Sequence, residues 1–402
     1  MQTDYLARTK RCNIAFGGMQ GLYYAANCIF FGFLISYLSY KGYSYIVLGM
    51  VSTVIAASTM VFQPVLGYIM DSFVTPKKLI AVMVAVSLPV SVVFFVVDDS
   101  RTAAILIIAL MSFLQNTLAA VVDSWCVRLR EKGLDINYPV TRSMGSVFYS
   151  FSALLVGFLI SGIGYSVIAP GYIIASVLFL VFVFMADDVE CKNKSEDKGF
   201  QGQRISLPKA FKILMGNFDY RIFLISYFFY SISMRVVCTF IANIIAERGG
   251  TSAHLGAALF IAAFFELPLL WIFSRYAKRM SLPLVYTAAL LLGLVRVVSL
   301  NIFPSLGMVM FSQFFQGFSF GLCIPFVIEY VNEKVDENLK ATAITIAMAV
   351  AMGAALIIGN SLGGVIIDRF GMTGLGVFVI FCMVVAFAVF LVPYLLHKKQ
   401  KN

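Results

Sequence analysis

The chain has 402 residues, of which 60% are hydrophobic and only 12% charged, whereas soluble domains carry about 25% charged residues. That balance excludes a soluble fold, because a growing core cannot hide so much apolar surface from water. The net charge of +10 does not point to nucleic acid, since the basic residues sit in short segments between apolar runs.

A membrane span needs about 20 apolar residues. Cys12–Tyr40 and Gly42–Met70 each run for 29 residues without a charge. The first run is too long for a signal peptide core and a second span follows it, so it is expected to be retained. Continuing along the chain, apolar runs predict twelve spans near 13–40, 45–70, 79–97, 103–125, 139–165, 169–186, 219–245, 255–275, 283–301, 304–330, 341–366 and 374–396. Glycines 162 and 164 and the Pro170-Gly171 pair break the fifth from the sixth. With the N-terminus inside, 22 of the 30 Lys and Arg residues fall in inside segments and 4 in outside loops. That asymmetry predicts both termini in the cytoplasm. Residues 187–218 are the one long polar stretch and read as a cytoplasmic linker with an interfacial helix around Pro208–Met215. The linker divides the chain into six-span halves, 1–186 and 219–402. None of the seven cysteines is spaced as CxxC, and all are expected to be unpaired thiols.

Five charges interrupt the spans: Asp123, Arg142, Arg235, Glu266 and Arg296. A charge in hydrocarbon costs at least ~2.5 kcal/mol, so each is a functional candidate. Asp123 closes span four and Arg142 opens span five, at similar depth across a short loop. The two either pair with each other, share a polar ligand between acceptor and donor, or form a salt bridge at the interface with Arg142 reaching for water. Glu266 sits mid-span in Phe264-Phe265-Glu266-Leu267-Pro268. It can pair with Arg296 or Arg235, be held protonated by desolvation, or serve as a packing ion pair. Tyr149, Trp125 and Trp271 lie within a turn or two of these charges, where a ring would suit a sugar or nucleobase face. No His/Cys/Asp group has metal spacing and no nucleotide-cradling loop is present, so neither metal nor cofactor is expected.

At the second inside loop, Gly67, Asp71, Lys77 and Lys78 fit a signature that resembles that of the major facilitator superfamily, with Ser72 and Thr75 departing from it. The resemblance implies a gating role for these four residues. A narrower likeness rests on Phe62-Gln63-Pro64 with Gly67 and Asp71, on Val122-Asp123-Ser124-Trp125, and on Thr141-Arg142-Ser143-Met144-Gly145-Ser146. Together these resemble the oligosaccharide:proton symporters, the lactose permease group. The likeness implies that Asp123 and Arg142 bind a sugar, that Tyr149 stacks on its ring, and that Asn116 and Glu266 contribute to the site. It also makes Arg296 a coupling residue. The family's histidine of span ten reads Gln316, its proton-carrying glutamate reads Ser319, the acidic positions of span seven read Arg235 and Cys238, and the lysine of span eleven reads Gly353.

The expectation is therefore an all-α membrane protein of twelve transmembrane helices in two six-helix bundles, with the major facilitator fold. It would not be an enzyme. It would carry a small polar solute by alternating access, through a site of Asn116, Asp123, Arg142, Tyr149, Glu266 and Gln316, with proton coupling through Glu266 and Arg296. A sugar or oligosaccharide comes first as substrate. Nucleosides, aromatic acids, drug efflux and a non-transporting sensor are the alternatives. The expected partners are the solute, protons and the lipid bilayer, with no nucleic acid, in a monomer of the cytoplasmic membrane.

Overall fold

The computed structural model describes residues 2–97, 100–189, 207–276 and 280–401. Among them, eleven helical segments are long and apolar enough to cross a membrane, from Tyr5–Tyr40 to Glu337–Leu391. The last holds two of the expected spans, separated at Gly371, whose φ of 68° interrupts the helix. A side chain is disfavoured at that angle, and glycine is the residue that adopts it freely. Helices suit such spans, because each satisfies its backbone amides and carbonyls within its own segment where no water can. Large apolar side chains such as Val96, Phe158 and Val377 point outward from the spans, as a lipid-facing surface demands. The linker helix is present as Leu207–Gly216, while residues 190–206 lie outside the described ones.

The chain forms two compact units. Unit 1 comprises Met1–Tyr37, Ala57–Gly199 and Thr251–Phe260. Its core joins Phe16 and Met19 of span one, Met83 of span three, Trp125 of span four and Phe179 of span six. Unit 2 comprises Leu38–Ala56, Phe200–Gly250 and Ile261–Asn402. Its core is an aromatic stack in which Tyr286 and Phe326 lie nearly parallel with ring centroids 4.6 Å apart, and Phe223 packs edge-on to both. The first turns of spans five, seven and ten are capped by Asn137, Asn217 and Ser305, each accepting a backbone N–H three residues on.

Four spans depart from regular helix in mid-course, a feature that marks functional sites more often than chance. Span one has a wider turn over Cys28–Gly32 and the eleventh has another over Val350–Ala354. Span four breaks at Thr117, beside Asn116. Span eight breaks at Phe265, between Ser252–Phe264 and Glu266–Tyr276. Pro268 explains that last break, since it removes the N–H that the Phe264 carbonyl would accept and its ring crowds that carbonyl.

Candidate substrate site

In unit 1 the expected residues gather around span one. Gln20, Tyr24 and Asn27 recur at helical spacing, so they share one face. Gln20 Nε2 donates to Asp123 Oδ1 at 2.6 Å. Arg142 Nη2 donates to the Tyr24 hydroxyl at 2.7 Å, with its guanidinium carbon 4.5 Å from the ring centroid. Asn27 Nδ2 donates to Asn116 Oδ1 at 2.7 Å, and Asn116 Nδ2 donates to Ser112 at 3.1 Å. The Tyr138 hydroxyl, from the first turn of span five, lies near Asp123. Asp123 and Arg142 thus attract each other electrostatically while each is steadied by neutral hydrogen-bond partners of its own. Both remain half-buried. Tyr149 reaches back to span one, where its hydroxyl lies near Cys28 in the widened turn.

Two of the aromatics considered as ligand faces have other uses. Trp125 is fully buried, packs edge-on to Phe16 and donates to the Asp187 carbonyl at 3.0 Å, which makes it a core residue. Trp271 is 62% exposed, with the Arg275 guanidinium 5.7 Å from its ring centroid. Conversely, Gln20, Tyr24, Asn27 and Tyr138 were not among the expected site residues. The signal for the first three was present: three polar side chains at positions i, i+4 and i+7 of an otherwise apolar span.

In unit 2, Arg296 is fully buried. Its Nη1 donates to the Met234 carbonyl at 3.0 Å and its Nη2 donates to Gln316 Oε1. Cys238 Sγ lies 3.7 Å from Nη2, and Nε has no partner among the described residues. The hydrogen bonds of Arg296 therefore go to neutral groups and not to Glu266, which corrects that possible pairing. Arg235, one residue after Met234, lies over the Phe320 ring at 5.5 Å. Glu266 sits at the break in span eight, where span ten comes very close. A Cβ on Gly317 would stand 2.6 Å from the Ala262 carbonyl and 3.0 Å from the Glu266 amide nitrogen. Ser319 is a buried structural hydroxyl, bonded to Tyr230 at 2.8 Å and to the Ala289 carbonyl at 2.7 Å.

The family model described as the MFS_1 like family matches residues 18–378. The chain belongs to that family. Its relatives and its fold are those of major facilitator superfamily transporters, which are not enzymes. It is 24% identical to maltose permease of Geobacillus stearothermophilus over 268 residues, 66% of this chain and 65% of that protein. The alignment therefore spans slightly less than two thirds of that relative's length. Among solved structures, the nucleoside transporter NupG superposes with a TM-score of 0.76 at 15% identity, covering 94% of this chain and 97% of that one. The peptide transporter POT in complex with sulfate gives 0.68 at 12% identity, covering 97% and 94%. At such identities these two likenesses establish the fold alone.

The facilitator signature at the second inside loop is only partly engaged. Lys77 Nζ donates to the Phe184 carbonyl at 3.3 Å, and Thr75 donates to Asp188 at 2.8 Å. Lys78 is exposed and a Cβ on Gly67 would meet open space. Asp71 lies in the helix, but its side chain is outside the described residues. A denser cluster stands nearby, where Arg8 and Arg11 both pair with Asp187. Partial burial opposes ionisation of Asp187, but the hydrogen bonds and charges of the two arginines outweigh it and hold the carboxyl below its usual range.

Proposed function

We propose that this facilitator imports a small, hydroxyl-rich solute, a sugar or oligosaccharide, through a site built on Asn116, Asp123, Arg142 and Tyr149. The observation that carries this reading is the polar face of span one, which holds an acid and a base half-exposed and hydrogen-bonded to neutral neighbours. A carboxylate that accepts and a guanidinium that donates, held near one another at a half-open surface, match adjacent hydroxyls. The ring of Tyr149 offers an apolar sugar face a surface to lie on. The similarity to a maltose permease supports the same substrate class. In unit 2, Glu266 carries the coupling proton. Gly67, Asp71, Lys77 and Lys78 act in gating. The protein works as a monomer in a cell membrane, with both termini in the cytoplasm.

Thermal unfolding of the purified protein tests the substrate. A bound ligand at 100 times its Kd adds about 2.7 kcal/mol to the folded state. A disaccharide should stabilise the wild type and not Arg142→Ala. Stabilisation by nucleosides or aromatic acids in its place would overturn the sugar reading. Uptake into proteoliposomes across a pH series tests coupling: the rise in uptake under an inward proton gradient should vanish in Glu266→Gln. An unchanged profile in that variant would remove Glu266 from the proton path.

A further inference from the structure

We infer that unit 2 contains an anion-binding site formed by Arg235 and Arg296. It takes in Gln316, a residue expected at the substrate site, while the sugar reading itself rests on spans one, four and five.

A guanidinium stays charged at any pH a protein meets, and buried charges are ordinarily paired. Among the described residues, neither Arg235 nor Arg296 has a carboxylate within ion-pair distance. Arg296 is wholly enclosed, held by one carbonyl, one amide oxygen and sulfur atoms, with Nε left over. The two arginines share one seam. Met234 and Cys238, which contact Arg296, flank Arg235 on span seven. Gln316, which accepts from Arg296, and Phe320, which lies under Arg235, are one turn apart on span ten and share a face. Glu266 abuts the neighbouring face of span ten, at Gly317 and Gly321.

The seam also has an open side. Arg235, Cys238, Gln316 and Phe320 are all half-buried. An anion entering there would meet Arg235 first, then displace the amide oxygen of Gln316 and neutralise Arg296. The ligand chemistry is a small oxyanion or halide, or a carboxylate or phosphate carried on a larger solute. Guanidinium groups bind such oxyanions in two-point geometry.

The test is thermal unfolding of the full chain in a buffer of bulky sulfonate salt, titrated with sodium sulfate, sodium chloride or sodium glucuronate at constant ionic strength. Wild type, Arg235→Gln and Arg296→Gln are compared. The expected result is a saturable rise in Tm of about 2–5 °C with at least one anion, and a half-saturating concentration at least about tenfold higher in both variants, the loss expected when a charge-assisted hydrogen bond worth about 1.5–3 kcal/mol is removed. Should Arg296→Gln fail to fold, the half-buried Arg235→Gln decides alone. Stabilisation by glucuronate but not by inorganic anions assigns the charge to a transported solute; the converse assigns it to a separate ligand. Both support the site. Equal shifts in wild type and Arg235→Gln, or none above the sulfonate control, overturn it. If those anion results overturn the site, stabilisation of the wild type by a neutral disaccharide still leaves the sugar reading standing, so the two failures are distinguishable.

Discussion

The Asp123–Arg142 pair of unit 1 and Arg296 of unit 2 are treated in opposite ways. In unit 1 an acid and a base lie within electrostatic reach, each steadied by neutral side chains of span one and each still half-exposed. In unit 2 Arg296 is sealed among a carbonyl, an amide and sulfur atoms, and the serine at the position implied for a proton carrier is fixed in the core. The difference teaches that the cost of a charge in hydrocarbon can be met by a prearranged polar lining that keeps the charge accessible, or by enclosure that hides it. The first arrangement suits repeated capture and release of a polar solute. The second suits a fixed positive centre that attracts a counter-charge.

The sharpest way to break this contrast is to strip the lining from one unit and a core hydroxyl from the other. Gln20→Leu leaves Asp123 short of a donor, and removing a hydrogen bond to a charged group costs about 1.5–3 kcal/mol, so uptake should fall by about 10- to 100-fold. Ser319→Ala should leave uptake within about threefold and lower stability by about 1 kcal/mol. Equal losses of uptake in the two variants would erase the distinction.

A smaller effect separates crowded from open glycines. Gly317→Ala drives a Cβ into backbone of span eight, and such overpacking costs about 1–3 kcal/mol, to be read as a lowered Tm. Gly67→Ala, facing open space in unit 1, should hold or raise Tm by virtue of better helix propensity.

The smallest effect concerns Asp187. Its carboxyl is held below its usual range, so its contribution is present above the unfolded value of about 3.9 and is lost as pH falls through the lower folded value. Asp187→Asn should therefore be less stable than wild type near neutrality, by at most about 1 kcal/mol because both arginines are exposed. The gap should close as pH drops below about 4. A gap that persists in acid would point to packing and not charge.

Much of this architecture is legible in the sequence. The spans followed from uninterrupted apolar runs, because a helix in lipid must be long and uncharged. Asp123, Arg142 and Glu266 stood out for the same reason turned around: a charge is conspicuous where none is tolerated. The supporting residues were less visible. Gln20, Tyr24 and Asn27 are ordinary polar residues, and only their helical spacing hinted at a shared face. That Trp125 packs in the core was not legible, because its neighbourhood to Asp123 in sequence says nothing about which side of the helix it occupies. The break at Phe265 had a local cause in Pro268, whereas the break at Thr117 and the wide turn over Cys28–Gly32 had no such marker.

By itself, the sequence determined the solvent, the apolar spans and the charges that interrupt them, since each depends on composition along a single segment. Only the tertiary structure decided which partners those charges found. That Arg296 binds Gln316 and the Met234 carbonyl, and not Glu266, depends on the rotation and depth of three separate helices. Pairing at hydrogen-bond range is settled by differences of an ångström, and the order of residues within any one span does not carry them.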